Sequence, residues 1–376
     1  MKLGDFFSGQ YVNRSQYKSF EPSKIHLPWV IDDSELMMLL SEADIKLGEL
    51  NGISELVPDV NSFLQMHVLK EGTESSRIEG TQTNIEEALQ KEGDISPEKK
   101  DDWQEVQNYV LALNSAIRQL AEIPISGRLL KNTHRILMQG VRGKNKMPGE
   151  YRETQNWIGG ASLSDAVFIP PHQNSVSELM TDLEKFLNDE NLRVPKLIKI
   201  GIAHYQFETI HPFLDGNGRV GRLLIPLYLV ENRILNKPVL YLSDFFEKNK
   251  SLYYDNLMRV RTHHNLVQWL KFFLVGVRQT SQNSIDTFRS ILAVRKKTEE
   301  KILTLGRRIP TAKKLLQFLF LKPVADSQEI EEAIQMNATT AFRIIDEFLR
   351  LEILREKTGN KRNRIFIFED YLGLFR

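Results

Sequence analysis

The stretch HPFLDGNGRVGR, residues 211–222, combines a histidine, an acid, three glycines and two arginines. Its glycines match G-x-G-x-x-G, the spacing of a dinucleotide-binding loop. Such a loop follows a buried strand, whereas the preceding residues 195–210, PKLIKIGIAHYQFETI, have apolar residues at helical spacing. The pattern therefore argues against a dinucleotide fold. It predicts a helix, a tight loop and a second helix that starts near Gly218.

A loop that leads into a helix N-terminus is suited to bind an anion. Free backbone N–H groups and the positive end of the helix dipole meet there, and glycines allow a phosphate to approach closely. Arg219 and Arg222 are three residues apart, so both side chains can lie on one face of the second helix. Asp215 is a hard oxygen ligand for Mg²⁺, and His211 is a candidate general base. The alternative is a solvated turn with a capping histidine.

The stretch resembles the signature of Fic proteins, H-x-F-x-(D/E)-G-N-G-R-x-x-R, at every defined position. The resemblance implies a mainly α-helical Fic core with a β-hairpin flap. It also implies transfer of a phosphate-containing group, most often AMP from ATP, to a hydroxyl of a target protein. The matching residues are His211, Phe213, Asp215, Gly216, Asn217, Gly218, Arg219 and Arg222.

The resemblance also implies a role for each residue. His211 would take the proton from a Ser, Thr or Tyr hydroxyl, which attacks the α-phosphate while pyrophosphate leaves. Asp215 would hold Mg²⁺ across the α- and β-phosphates, and Phe213 would anchor the loop in the core. The residues placed on the phosphates of ATP are Gly216, Asn217 and Gly218 in an anion cup, Arg219 on the leaving phosphates and Arg222 on the γ-phosphate.

A second stretch, SSRIEG at 75–80, resembles the family's inhibitory pattern (S/T)-x-x-x-E-(G/N) through Ser75, Glu79 and Gly80. Gly80 is typical of a residue just beyond a helix end, which places Glu79 in the last turn, where the helix dipole disfavours an anion. The family implies that Arg222 is the cation facing it and that the pair makes ATP bind unproductively. The alternative is an exposed glutamate at a helix end.

Strand signals before residue 305 are confined to residues 155–171, QNWIGGASLSDAVFIPP, which predict a surface hairpin. It resembles the family's flap, which holds a target segment by backbone pairing, although a purely structural hairpin is the alternative. Residues 251–261 resemble the helix that borders the adenine. Tyr254 and Asn256 are the candidates to contact the base, ahead of Tyr253.

Three short helical patterns and a hairpin turning at Gly359–Asn360 predict a winged helix at the C-terminus. The basic run 355–364 would suit DNA, but the last helix is acidic as well as basic, so we favour a protein or intramolecular role. The predicted organisation is an N-terminal helical region at 1–95 with the inhibitory segment 75–80, a Fic core at 96–275, a connecting helix at 276–305 and a winged-helix module at 306–376.

The composition is that of an ordinary soluble globular protein, with 41% hydrophobic and 26% charged residues among 376. A net charge of +1 gives no overall attraction to nucleic acid or to a membrane. The chain has no cysteine, which excludes disulfides and thiolate chemistry. Without a signal-peptide core or an apolar run of about 18 residues, we expect a cytoplasmic protein.

Other functions stay open at this point. The same core could move phosphate or phosphocholine, although kinase-like relatives tend to lose the second arginine that Arg222 preserves. A regulator that senses nucleotide and binds DNA through 306–376 is the alternative from another class. A toxin is disfavoured by an inhibitor on the same chain. The resemblance also leaves a homodimer open, since many Fic proteins dimerise.

Overall fold

The structure is a computed structural model that describes residues 1–56, 60–140, 146–359 and 364–376, without the side chains of residues 60–62. The helices are α1 Ser34–Leu56, α2 Val60–Ile78, α3 Ile85–Ala88, α4 Lys100–Gln119, α5 Gly127–Leu137, α6 Gln173–Asn188, α7 Lys196–Ile210, α8 Asn217–Glu231, α9 Ser243–Lys248, α10 Lys250–His263, α11 Leu266–Ile302, α12 Ile309–Leu321, α13 Ser327–Ile334, α14 Ala338–Arg350 and α15 Glu369–Leu372. The strands are β1 Gly9–Asn13, β2 Lys18–Pro22, β3 Val324–Asp326, β4 Arg355–Glu356 and β5 Ile365–Ile367. The fold is mainly α, as predicted. No helix in the described residues has the length and apolarity needed to span a membrane.

Helices α7 and α8 lie at the centre of the core and carry the 211–222 stretch between them. Every residue of α7 from Leu197 to Ile210 is buried, which explains an apolar pattern that lacks a solvent-facing side. The helix ends because His211 adopts a left-handed backbone, with φ of 50°. α8 begins after Gly216, which is also left-handed at φ of 74°. The predicted helix, tight loop and helix are present.

The stretch PDVNSFLQMHVLKEG, residues 58–72, predicts a helix that starts at Pro58–Asp59 and stops at Gly72. Helix α2 instead runs without a break to Ile78, so the predicted stop is wrong. Gly72 instead permits a close approach to α4, because a Cβ there would lie 3.3 Å from the Tyr109 ring and 3.4 Å from the Val106 carbonyl oxygen. The predicted start of this helix at Pro58–Asp59 lies outside the described residues. The continuous helix places Ser75 in its last turn and Glu79 directly after its last residue.

The hairpin formed by β1 and β2 was not predicted. The two strands pair antiparallel, with Tyr11 opposite Phe20, and together contain few apolar residues. Their alternation is therefore too weak to detect in the sequence. The Phe20 amide donates to the Ile169 carbonyl oxygen at 2.9 Å, so β2 supports one limb of the predicted flap.

Helices α12 to α14 and a small antiparallel sheet in the order β3-β5-β4 form the C-terminal module. Strands β4 and β5 pair at the predicted hairpin, with Glu356 opposite Phe366, and β3 adds a strand that the sequence did not predict. Gly359 is left-handed, whereas its partner in the predicted turn, Asn360, lies outside the described residues. The boundary predicted at 275/276 falls inside the single helix α11.

Aromatic side chains connect α2 to the C-terminal module. The Phe63 ring lies 5.6 Å from that of Phe320 and 6.3 Å from that of Tyr371. One turn further, His67 stacks on Phe288 of α11 at 5.0 Å. The first half of α2 is therefore part of the core of this module, while its last turn lies against α8.

Candidate active site

The loop between α7 and α8 is closed by its own asparagine. The Asn217 side chain accepts from the Phe213 N–H and donates to the Phe213 carbonyl oxygen, both at 2.8 Å. The Asp215 carboxylate accepts from the Gly216 N–H at 2.6 Å. The Asn217 side chain is thus used to shape the loop, while backbone N–H groups at the start of α8 remain available to an anion.

His134 of α5 supports this loop from below. Its ring stacks on Phe213 with centroids 3.8 Å apart and an interplanar angle of 9°. Nδ1 accepts from the Gly149 N–H at 2.8 Å, so the proton is on Nε2, which donates to the Asp215 carbonyl oxygen at 3.0 Å. Burial lowers the pKa of His134 to about 4, which keeps this arrangement intact at neutral pH. Phe213 is an anchor in the core, as expected.

Arg219 and Arg222 are both buried, 5% and 2% exposed, and have different partners. Arg219 lies 3.3 Å from the Glu105 carboxylate and 3.9 Å from that of Asp215. Arg222 donates through Nε to the Ser75 hydroxyl at 2.8 Å and through Nη2 to the Ser75 carbonyl oxygen at 2.8 Å. Two guanidinium groups are therefore held at the start of α8, where a polyphosphate would need them.

Glu79 pairs with Arg222 at 2.6 Å between Oε1 and Nη2, so the contact expected from the sequence is present. A Cβ at Gly218 would overlap Oε1 and would lie 2.9 Å from Arg222 Nη1. The carboxylate therefore lies in the space that the glycine leaves free. Burial raises the pKa of Glu79, but Arg222 more than offsets this and holds it below the ordinary value, so Glu79 is an anion at neutral pH.

The His211 imidazole lies in a poorly solvated and positively charged environment. Its Nδ1 is buried and forms no hydrogen bond. Burial, followed by Arg261 and Arg152, lowers the pKa of His211 to about 3, while Glu79 acts in the opposite direction. The imidazole is consequently neutral at physiological pH, which is the form that can accept a proton.

Family comparisons place these residues in a known context. A model described as Fic/DOC family N-terminal matches residues 37–118, and one described as Fic/DOC family matches residues 124–229; together they cover half of the chain. The chain belongs to the Fic/DOC family. The second match contains the His211 loop, both arginines and the predicted flap.

Curated Fic relatives match over part of their length. The chain is 34% identical over 119 residues to protein adenylyltransferase Fic of Drosophila erecta, covering 31% of this chain and 22% of that protein. It is 32% identical over 188 residues to probable protein adenylyltransferase aq_aa38 of Aquifex aeolicus, covering 50% of this chain and 54% of that protein. The matches thus span between about a fifth and half of these relatives.

Two solved Fic structures share the fold. A Fic family protein from Desulfovibrio desulfuricans G20 superposes with a TM-score of 0.57 at 19% identity, covering 91% of this chain and 97% of that one. A Fic domain containing signaling protein from Bacteroides thetaiotaomicron VPI-5482 gives 0.52 at 17% identity, covering 68% and 97%. The Fic fold predicted from the loop is confirmed.

The predicted flap of this Fic chain is more open than a regular hairpin. One antiparallel bridge joins its limbs, between Ile158 and Phe168, with backbone bonds of 2.8 and 3.1 Å. The Val167 N–H also donates to the Ile158 carbonyl oxygen, at 3.0 Å. The bridge joins the two apolar runs that were predicted to form the hairpin, so the hairpin is present, with one bridge in place of a longer ladder. Trp157 and Val167 beside the bridge are exposed, so the flap presents an apolar edge.

The candidates for the adenine lie on different sides of α10. Tyr254 is partly exposed, and the charges of Glu79 and Arg222 both act on the pKa of its hydroxyl, which places this side chain near the site. The Asn256 amide is buried and donates to the Leu252 carbonyl oxygen at 2.8 Å. Tyr253 is hydrogen-bonded to His204 at 2.9 Å inside the core. Residues two apart on a helix do not share a face, so Tyr254 and Asn256 cannot contact a base from the same side.

Asp215 meets the requirements for one ligand of a hard cation. Its side chain is 44% exposed, and the Gly216 N–H uses only Oδ1. The described residues contain no group of three or more His, Cys, Asp or Glu placed to hold a metal ion. A cation at Asp215 would therefore need phosphate oxygens to complete its coordination, which fits a nucleotide-bound Mg²⁺.

Several residues of the site were not found from the sequence, among them Arg152, His134, Arg261 and Asn156. Asn156 donates to the carbonyl oxygen of Phe213 at 2.8 Å. Arg261 lies 3.8 Å over the Phe168 ring and donates to the Thr209 hydroxyl at 3.1 Å. Each comes from a segment distant in sequence and acts mainly on backbone or ring atoms. No short motif could have indicated them.

Proposed function

We propose that this Fic protein transfers AMP from ATP to the hydroxyl of a Ser, Thr or Tyr in a target protein and releases pyrophosphate. The observation that carries this proposal is a carboxylate, Glu79, bound by Arg222 in the free space above Gly218. A site that binds this anion has the donors and the room for a terminal phosphate. The names of the curated relatives support the choice of AMP as the group transferred.

In the proposed reaction the neutral His211 takes the hydroxyl proton of the target as its oxygen bonds to the α-phosphorus. The bond from the α-phosphorus to the bridging oxygen breaks, and pyrophosphate leaves with that electron pair. Arg219 and the backbone N–H groups at the start of α8 stabilise the charge on the phosphates, and Arg222 holds the γ-phosphate. Mg²⁺ held by Asp215 would supply further charge neutralisation on the phosphates.

We propose that Glu79 is an inhibitor carried on the same chain. Its carboxylate uses Arg222, which the γ-phosphate would otherwise engage, and it lies against Gly218 in the anion cup. Ser75 strengthens the arrangement because it fixes the guanidinium with two bonds. ATP that binds beside this pair would have its γ-phosphate displaced, and the α-phosphate would not align with His211.

We propose that the flap binds the target by backbone pairing along its limb at 157–159. The Trp157 side chain of this limb is exposed. Because a single bridge, from Ile158 to Phe168, joins the limbs, other backbone groups of the limb can pair with a partner strand. A target segment in this position would run past the entrance of the loop that carries His211.

For the C-terminal module we propose a role within the protein rather than on DNA. Carboxylates neutralise several of its cations: Arg308 and Arg350 contact Glu347, and Arg364 contacts Glu356. Lys357 pairs with Glu86 of α3 at 2.8 Å, so one basic residue of the predicted wing faces the N-terminal region. Residues 360–363 of the basic run lie outside the described residues.

The position of the label in ATP tests the proposed reaction. The protein is incubated with a cell lysate and with ATP labelled at either the α- or the γ-phosphate. We expect protein-bound label from α-labelled ATP only, because the γ-phosphate leaves with pyrophosphate. Label from γ-labelled ATP alone would show a kinase reaction instead, and mass spectrometry of the labelled band would identify the added group.

The protonation of His211 gives a pH prediction. With its pKa lowered to about 3 by burial, Arg261 and Arg152, the imidazole stays neutral from pH 8 down to about pH 5. A histidine with the ordinary pKa of 6.5 would be about three-quarters protonated at pH 6. We therefore expect its NMR ring signals, assigned by comparison with His211→Ala, not to titrate above pH 5. A midpoint near 6.5 would contradict the described environment.

A further inference from the structure

Arg152 connects three backbone segments at the base of the site. It lies after α5, just before the flap, and its side chain is 2% exposed. The guanidinium donates to the carbonyl oxygens of His211 at 2.9 Å, Ile210 at 3.3 Å and Pro171 at 2.6 Å. Nη1 donates to the carbonyl oxygen of Thr154 at 3.3 Å. One buried side chain thus contacts both limbs of the flap and the end of α7.

The contacts to Ile210 and His211 stabilise a helix end that also receives Asn156, at 3.3 Å from the His211 carbonyl oxygen, and Arg261, at 3.2 Å from that of Glu208. The last carbonyl groups of a helix lack partners within it, and they carry the negative end of the helix dipole. His211 is left-handed there, a conformation that non-glycine residues seldom adopt without support. The Arg152 backbone N–H adds a bond to the Pro212 carbonyl oxygen at 2.9 Å. Arg152 therefore fixes the turn that orients the His211 side chain.

The contacts to Thr154 and Pro171 close the flap at its base. Further out, the limbs share the single Ile158–Phe168 bridge, and Gln155 adds a bond to the Pro170 carbonyl oxygen at 3.1 Å. So short a ladder does not fix the orientation of a loop by itself. Because Arg152 binds the base of the flap and the His211 turn at once, a displacement of one must displace the other.

We propose that Arg152 is a positioning residue that holds the flap and the His211 turn in a common register, so that a hydroxyl presented on the flap meets the imidazole. The proposal rests on the proposed function, since it assigns the flap to the target. A planar guanidinium with five N–H donors can bind four carbonyl oxygens in different directions. A lysine ammonium has three donors at one point and cannot reach the same set.

Two substitutions separate the geometry of Arg152 from its charge. Arg152→Lys keeps the positive charge beside His211 but loses the planar set of guanidinium donors, and Arg152→Gln loses both the charge and these donors. Both are made in the full chain, alone and with Glu79→Gly. Lys199→Met is the matched control: Lys199 is also buried and donates to a backbone carbonyl oxygen, that of Asp189 at 2.9 Å. It lies roughly three helical turns before His211 on α7.

We expect both Arg152 variants to lose at least about 100-fold in AMP transfer per ATP-binding site, with the KM for ATP within about threefold of the parent. The concentration of ATP-binding sites is measured by calorimetry, so that a partly unfolded sample is not mistaken for a loss of transfer. Hydrogen exchange of the Ile158 and Phe168 amides should accelerate at least about tenfold in both variants. The acid limb of the rate should move to higher pH in the glutamine variant alone, because only this variant removes a charge that lowers the pKa of His211.

Three outcomes would overturn the proposal. Transfer by Arg152→Lys at the parent rate would show that the charge alone matters. Arg152 variants could instead behave like Lys199→Met, with a lower melting temperature but the parent's hydrogen exchange in the flap and the parent's AMP transfer per site. This result would show that Arg152 has a purely structural role. If hydrogen exchange in the flap is unchanged in Arg152→Lys, Arg152 does not couple the flap to the His211 turn. The lysine variant is the milder change, so this measurement still decides if Arg152→Gln does not fold. Failure of the proposed function would look different, because the Glu79→Gly parent would then transfer no α-label. Hydrogen exchange would still show whether Arg152 couples the flap to the His211 turn.

Discussion

The Glu79→Gly protein should transfer AMP from ATP about tenfold faster than the wild type, or more. The substitution removes the carboxylate from Arg222 and from the space above Gly218, so both become available to the γ-phosphate. A tenfold gain corresponds to about 1.4 kcal/mol of preference for the unproductive arrangement, a modest value for an ion pair with a buried guanidinium. The measurement is incorporation of α-label into lysate proteins at equal enzyme concentration.

Two further variants show whether position or charge is responsible. Glu79→Gln cannot form the ion pair but still fills part of the space, so we expect activation smaller than that of Glu79→Gly. Glu74→Gln removes a carboxylate five residues earlier, on α2, where its partner is Arg77 at 2.8 Å, and should leave the rate unchanged. If Glu79→Gly transfers AMP no faster than the wild type, Glu79 is not an inhibitor.

In the Glu79→Gly background, His211→Ala should lower transfer roughly 1000-fold while ATP still binds. A positioned general base contributes about 10²–10⁴-fold, and His211 is the candidate base at the loop entrance. The proposed phosphate contacts come from α8 and do not involve the His211 side chain, so affinity for ATP measured by calorimetry should change little. Transfer at a rate within tenfold of the parent would exclude His211 as the base.

The backbone at His211 requires a second variant. Its φ of 50° is unfavourable for alanine, whereas asparagine tolerates the left-handed region better. His211→Asn should therefore keep the turn and the melting temperature and still lose transfer to the same extent. His263→Ala, an exposed histidine that contacts only Thr262 among the contacts described for its ring, should retain parental activity.

The sequence predicted the central loop because its chemistry is contiguous. Arg219 and Arg222 lie one turn apart on α8, and helical periodicity is enough to place them together. The Glu79–Arg222 contact needed a known pattern, since nothing local brings α2 to α8. Gly72 was misinterpreted as a helix end because a glycine that admits a neighbouring helix looks the same in the sequence as one that terminates a helix.

Residues that support the site through backbone atoms were not predictable. Arg152 and His134 bind carbonyl oxygens and amides, which every residue has, so their partners leave no trace in the sequence. The β1–β2 hairpin escaped because Ser19 and Phe20 are buried in succession, which breaks the alternation of a half-buried strand. The flap was recognised by its apolar limbs, but its contacts with β2, through Phe20, and with α10, through Arg261, had no signal in the sequence.

Because α2 belongs to two cores at once, the protein cannot be divided at the end of α11 without exposing apolar surface. A fragment ending near residue 305 would uncover Phe63 and His67, and an isolated 306–376 segment would uncover Phe320 and Tyr371. Truncation would release one end of the same helix that positions Glu79 at the other. Gain or loss of activity in a shortened chain would then report on the folding of α2, and assays of inhibition or of DNA binding are best made on the undivided protein.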